Sequence, residues 1–323
     1  MGDDPVGLLD VLLGLAVVGV AGTALTARRR MGAVVSFLVL GVLLAVLWSR
    51  LGAPDVALAE AAIGTGVTGA LFVDAVTRGP PETRGAPAAR PAGPVPWQGV
   101  RAALPGGLAA VLLGAGLGPA FAGAVLAGTA PGGLTGQVLG RMDAAGVEHP
   151  VSAVLLNFRS YDTLLEVVVL FVAVLSVTAT LGEERPRHAP PSARAATLVW
   201  FCRVLAPVLV LVAAWVLLAG SDRPGGAFQS GAVLAGALIL MDTAGLGPGP
   251  DHGRLLRAAL VVGPAAFLVV AAGGLVVEGE WLALDPAWAG GVIVVLETLL
   301  ALSIGVALTV VFLALGRGRV SPP

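Results

Sequence analysis

Nine stretches of this chain are apolar for long enough to cross a bilayer, and most of its charged residues fall between them. That one feature narrows the possible folds sharply. A hydrocarbon core needs about 20 apolar residues per helical span, and it forces every backbone N–H and C=O to find its partner inside the segment. The candidate spans are residues 7–27, 32–49, 55–77, 102–126, 162–181, 198–219, 228–244, 255–277 and 289–314. Such a chain is expected to be all-α, a polytopic integral membrane helical bundle of about nine transmembrane helices. With 57% hydrophobic and only 12% charged residues, the composition places it in the same class. Gly14, Gly19, Gly64, Gly69, Gly114 and Gly118 are expected at helix–helix contacts, where small residues let backbones approach in lipid.

The arginines set the orientation. Arg28–Arg30, Arg78, Arg84, Arg90, Arg101, Arg185, Arg187, Arg194, Arg254, Arg257, Arg317 and Arg319 all lie on one side of the predicted topology. The opposite gaps hold Arg50, Arg141 and Arg223, together with most of the loop acids. The positive-inside rule then gives an N-terminus outside and a C-terminus inside. Asp3 and Asp4 precede the first span and the basic triplet follows it, so the span reads as uncleaved rather than as a signal peptide. The chain divides into residues 1–78 with three spans, a Pro-rich cytoplasmic linker over 79–99, residues 100–182 with two spans, a linker over 183–197, and residues 198–323 with four spans.

Several classes of function are disfavoured. The net charge is −1, and all 19 basic residues are Arg, so nucleic-acid binding has no support. Cys202 is the single cysteine, which rules out a disulfide within the chain. His149, His188 and His252 fall in predicted loops without ligand spacing and are expected to be solvated. No catalytic constellation, metal site or cofactor is expected, and the chain is not read as an enzyme. Loop 127–150 is expected to hold a short surface helix over 136–145 and no chemistry.

What remains is a small set of ionisable side chains at membrane depth, where an unpaired charge is costly and a functional role is the default reading. Asp55 follows Pro54 at a helix start, where the helix dipole favours a carboxylate. Glu60 lies five residues further in, about 7.5 Å deeper, and is too deep to act as a cap. Asp74, near the other end of that span, is placed to pair with Arg78. Arg159, Asp162 and Glu166 share one helix face at spacings of three and seven. Thr163-Leu-Leu-Glu166 also fits a capping box. Glu297 is the one acid in its span and needs a partner, one that another chain can supply; Asp242, at the inner end of its span, marks the membrane interface. Pro224-Gly225-Gly226 makes a tight turn, and Gln229 just beyond it can bond a neighbouring helix.

Three motifs together resemble the Mrp-type multisubunit Na+/H+ antiporters. Ala53-Pro54-Asp55-Val56-Ala57-Leu58-Ala59-Glu60 resembles a three-span module, MbhD-like, shared by the large Mrp subunit and energy-converting hydrogenases. Asn157-Phe158-Arg159-Ser160-Tyr161-Asp162-Thr163-Leu164-Leu165-Glu166 resembles the two-span, MbhE-like module that follows it. Pro224-Gly225-Gly226-Ala227-Phe228-Gln229-Ser230-Gly231 resembles the glycine-rich signature of the four-span MrpB, or MnhB-like, component. Asn157 stands where the family often has Asp, Leu165 and Ala227 replace glycines, and the His often preceding the Pro-Gly-Gly turn is absent. The large subunits pump with intramembrane Lys–Glu pairs, which a chain without Lys cannot build.

The resemblance implies a multi-pass subunit of the cell membrane in a monovalent cation (Na+)/proton antiporter, with other Mrp-type subunits, the lipid bilayer, Na+ and H+ as partners. The residues bordering the ion pathway would be Asp55, Glu60, Asp74, Arg159, Asp162, Glu166 and Glu297. Pro224, Gly225, Gly226, Phe228, Gln229 and Gly231 would be structural. Two alternatives remain: the membrane arm of an energy-converting hydrogenase or related redox-driven complex, and a purely structural scaffold subunit.

Overall fold

In a membrane the hydrophobic effect no longer drives helix against helix, so packing rests on close van der Waals contact and on polar groups satisfied within the bundle. The computed structural model of the chain describes residues 7–77, 134–181, 196–247 and 253–317, with residues 115, 119 and 123. No strand occurs among them. The helices are α1 (Leu8–Thr26), α2 (Arg30–Arg50), α3 (Pro54–Ala59), α4 (Thr68–Thr77), α5 (Thr135–Leu139), α6 (Pro150–Ala153), α7 (Ser160–Leu181), α8 (Ala196–Ala219), α9 (Ala227–Thr243), α10 (Gly253–Val277) and α11 (Pro286–Arg317). Two π-helical stretches, Glu60–Val67 and Val154–Phe158, join α3 to α4 and lead from α6 towards α7.

Among the described residues, seven segments are long and apolar enough to cross a membrane, and α9 is a shorter apolar helix. These match eight of the nine expected spans; the ninth, 102–126, lies almost wholly outside the described residues, as do the linker 79–99, most of the linker 183–197, Arg78, Gly114, Gly118, His188 and His252. The expected surface helix over 136–145 is instead broken in two, α5 and a 3-10 turn at Met142–Ala144.

The described residues divide between two compact units. One holds those up to residue 77 and those from Arg141 onward, and the other holds those between, α5 included. All that follows concerns the first unit. Its axis is α11, which packs against α7, α9 and α10. Ile293, Leu296, Leu300 and Ile304 are buried along it with Phe267 of α10.

Small residues set the spacing. A Cβ on Gly231 of α9 would lie 2.8 Å from Ile304 Cβ and 3.0 Å from the Ala301 carbonyl oxygen, so only glycine lets α9 seat on α11. Pro264 interrupts α10 and leaves the Leu260 carbonyl without its helical donor. The Ser303 hydroxyl of α11 donates to that carbonyl at 2.8 Å, turning a defect in one helix into a bond between two. Gly69 sits against Leu38 of α2 as expected, whereas the side chain nearest Gly64 is Glu60 of its own span, and Gly14 and Gly19 have nothing within 4 Å. Those two therefore make no close contact among the described residues, where α1 and α2 are joined by the Asp10–Arg50 pair, at 2.9 and 3.1 Å.

Candidate functional site

The Pro-Gly-Gly turn between α8 and α9 is where the separate motifs meet. Gly226 adopts φ 108° and ψ −168°, a region that side chains strongly disfavour. Gly220 and Gly226 approach so closely that a Cβ on Gly220 would stand 2.6 Å from Gly226 Cα. The turn then presents three consecutive amides to three different acceptors. Gly225 N–H donates to Asp55 Oδ1 at 3.1 Å. Gly226 N–H donates to the Val216 carbonyl at 3.0 Å. Ala227 N–H, at the positive end of α9, donates to the Glu297 carboxylate. Two acids from distant spans thus grip one glycine turn from either side.

Both are withdrawn from solvent, Asp55 at 8% and Glu297 at 3% exposure. The second Asp55 oxygen lies 2.9 Å from His149 Nε2, and Gln229 Nε2 donates to the Asp55 carbonyl at 3.3 Å. Glu148 and His149 are themselves held against the turn, their amides both donating to the Ser221 carbonyl at 2.9 Å. Ser152 adds a hydroxyl bond to the Gly220 carbonyl. The expectation that His149 is a solvated loop residue is therefore corrected. Its ring is largely buried because the backbone on either side is tied to the turn.

Glu60 sits apart from this hub, at the point where the span passes from α3 into its π stretch. π turns are frequent at functional sites because they re-aim side chains and disturb the regular backbone ladder. The Glu60 side chain is half-buried and folds back over Gly64, with its carboxylate beside Gly41 of α2. Asp74 is half-buried near the far end of the same span, in α4; its expected partner Arg78 lies outside the described residues.

The Arg159, Asp162 and Glu166 group lies elsewhere, at the surface of the chain. Arg159 and Asp162 form an ion pair of 2.7 Å at 59% and 40% side-chain exposure. Glu166 is exposed on α7 one turn further in. The structure does not form the expected capping box. α7 already starts at Ser160, and the Thr163 hydroxyl donates to the Leu155 carbonyl at 2.7 Å, in the preceding π turn, rather than to a helix-end amide. Asn157 Nδ2 donates to the carbonyls of Ala144 and Ala145 at 3.2 and 3.0 Å. An ionised Asp has no hydrogen to give to either carbonyl, so the departure from the family pattern has a local use here.

The arrangement offers hard oxygen donors, enclosed or half-enclosed beside long apolar helices, of the kind that suits protons and alkali cations. No group of three or more His, Cys, Asp or Glu converges among the described residues. Reading the sequence missed the contact of Asp55 with the glycine turn, the role of His149, and the Asp10–Arg50 pair. For the first, Pro54-Asp55 and Pro-Gly-Gly were each visible, yet nothing local links positions 170 residues apart.

Comparison with known proteins adds the following. Residues 15–81 match the MbhD family model, described as a subunit of MBH, and residues 197–316 match the domain related to the MnhB subunit of Na+/H+ antiporter. An uncharacterised protein of Methanocaldococcus jannaschii is 33% identical over 157 residues, which cover 42% of this chain and 60% of that protein. The chain thus spans less than two thirds of that relative. Among solved structures, the Mrp complex from Dietzia sp. shares the fold with a TM-score of 0.72 at 23% identity, over 100% of this chain and 36% of that one. The membrane-bound sulfane sulfur reductase, an archaeal respiratory membrane complex, matches with a TM-score of 0.50 at 24% identity, over 64% of this chain and 95% of that one.

Proposed function

We propose that this chain, an Mrp-type fusion of an MbhD-like and an MnhB-like segment, works as a membrane subunit of a multisubunit monovalent cation/proton antiporter. A two-span MbhE-like module over 100–182, between the linkers 79–99 and 183–197, completes the organisation, with the N-terminus outside and the C-terminus inside. Other Mrp-type subunits are its partners, and Na+ and H+ are the ions exchanged. The observation that carries the reading is the glycine turn. Asp55 from the first motif, Gly225 and Gln229 from the third, and Glu297 from the last span meet there in one enclosed set.

In this mechanism Asp55 and Glu297 border the route and fix its walls, since each already serves a backbone amide. Glu60 is the exchanging group: a carboxylic acid there releases its proton as a cation arrives, and the cation leaves when the proton returns. Asp74 continues the route along the same span. Arg159, Asp162 and Glu166 extend it at the chain surface, against a neighbouring subunit.

Replacing Glu60 by Gln keeps the shape and removes the exchangeable charge. In vesicles carrying the whole complex, Glu60→Gln is expected to abolish Na+-driven proton movement while every subunit still co-purifies. Full transport by that variant would refute the role given to Glu60. A second reading, the membrane arm of a redox-driven complex, is favoured by the match to the MbhD family and by the likeness to the sulfane sulfur reductase. It requires iron–sulfur or other redox subunits to co-purify, and proton movement to need an electron donor.

A further inference from the structure

Among the described residues, threonine hydroxyls in the spans are commonly satisfied on a nearby carbonyl, and one buried hydroxyl is not. Thr178, Thr243, Thr298 and Thr309 each donate the hydroxyl to the carbonyl four residues back, at 2.7–2.8 Å. Thr68 reaches the Ile63 carbonyl, five back, at 3.0 Å. That back-bonding is the ordinary refuge of a hydroxyl in an apolar helix. Thr65 does not take it: its Oγ1 is buried and has no hydrogen-bond partner among the described residues. A buried hydroxyl left unbonded is costly and rare in a folded chain, so its orientation calls for an occupant.

The same spot gathers Glu60. A Cβ placed on Gly41 of α2 would lie 3.2 Å from Glu60 Oε1 and 3.1 Å from Thr65 Cβ, with Thr65 Oγ1 closer still. A Cβ on Gly64 would lie 2.7 Å from Glu60 Cδ and 2.9 Å from Oε2. Two glycines thus leave open the space in which a carboxylate and an orphaned hydroxyl converge. The backbone around them is π-helical, a departure from the α ladder between two α segments.

We infer that Glu60 and Thr65, framed by Gly41 and Gly64, form a binding site for a partly dehydrated monovalent cation of the sodium class. The donors are a carboxylate and a hydroxyl, hard oxygens that select alkali cations over soft metals. One carboxylate balances one positive charge, whereas a divalent ion would leave a net charge at membrane depth. The inference deepens the proposed function by naming the ligand set at Glu60, and it rests on that reading for its physiological meaning.

The test is cation protection of Glu60 from dicyclohexylcarbodiimide, which attacks protonated carboxyls in apolar surroundings. The whole complex in detergent is labelled at fixed pH in NaCl or in choline chloride at equal ionic strength, and the Glu60 peptide is quantified by mass spectrometry. Na+ is expected to slow Glu60 labelling and choline is not. Thr65→Val is expected to raise the half-protecting Na+ concentration about tenfold or more, the effect of losing one polar contact to a charged group. Thr65→Ser keeps the hydroxyl and is expected to retain protection, which separates loss of a ligand from loss of fold. Labelling that ignores Na+, or Thr65→Val protected like the parent, would overturn the site. Loss of transport in Glu60→Gln together with Na+-independent labelling would leave the proposed function standing and remove this site. Na+ protection with undiminished transport in Glu60→Gln would do the reverse.

Discussion

The chain carries two sets of charged side chains, and they are built in opposite ways. Around the glycine turn, Asp55 and Glu297 are enclosed and each accepts a backbone N–H; the paired group nearby, His149, is largely buried too. On α7, Arg159 and Asp162 pair in the open and Glu166 stands exposed within an apolar span. The first set is complete within one chain. The second is not complete among the described residues, and lipid cannot satisfy a carboxylate on the outer face of a spanning helix. The same residue types are thus held in two ways: one set is tied into the fold, and the other is the face that the proposed function gives to a neighbouring subunit.

That contrast can be broken by substitution, and the largest effect is expected at the turn. Gly226→Ala puts a Cβ where φ is 108° and where Glu297 Oε1 would stand 2.8 Å away. The backbone strain and the collision together should destabilise the chain by about 3 kcal/mol or more, read as a lower thermal midpoint of the detergent-solubilised protein. A parental midpoint would show that the turn does not hold the bundle.

A smaller effect is expected at Asn157→Asp, which brings the chain closer to the family pattern. The substitution leaves the Ala144 and Ala145 carbonyls facing a carboxylate, and a cost of about 1–3 kcal/mol is expected in the same melting experiment. A gain in stability would mean that the amide bonds seen here do not persist. The smallest effect belongs to Arg159→Ala. An exposed ion pair contributes only about 0–1 kcal/mol, so the isolated chain should melt as before. On the proposed function the same variant is expected to lower exchange in the assembled complex, since it leaves Asp162 without its countercharge at the face given to a neighbouring subunit.

Much of the fold was legible because length and apolarity alone decide what crosses a bilayer. The ends of α1, α2 and α8 to α11 fall close to the expected spans for that reason. The site was legible only in pieces. Asp55, Glu60 and the Pro-Gly-Gly turn each announced a cost or a conformation, but the pairing of Asp55 with Gly225 depends on how α3 lies beside α9. His149 was misread because a loop histidine without ligand spacing looks solvated until the backbone bonds to Ser221 are known. Thr163 and Glu166 imitated a capping box because the π turn before α7 moves the true helix start to Ser160 and supplies a carbonyl to Thr163. The π turn at Glu60 had no sequence signal, and Thr65 acquires its meaning only from it.

The most direct measurement places a photoreactive side chain at position 166 and, separately, at position 297, and cross-links the assembled complex in its native membrane. The expected result is a protein–protein cross-link to another subunit from position 166, and none from position 297, whose surroundings lie inside this chain. A cross-link from position 166 to lipid alone would contradict the division between a self-contained turn and a face awaiting its neighbour.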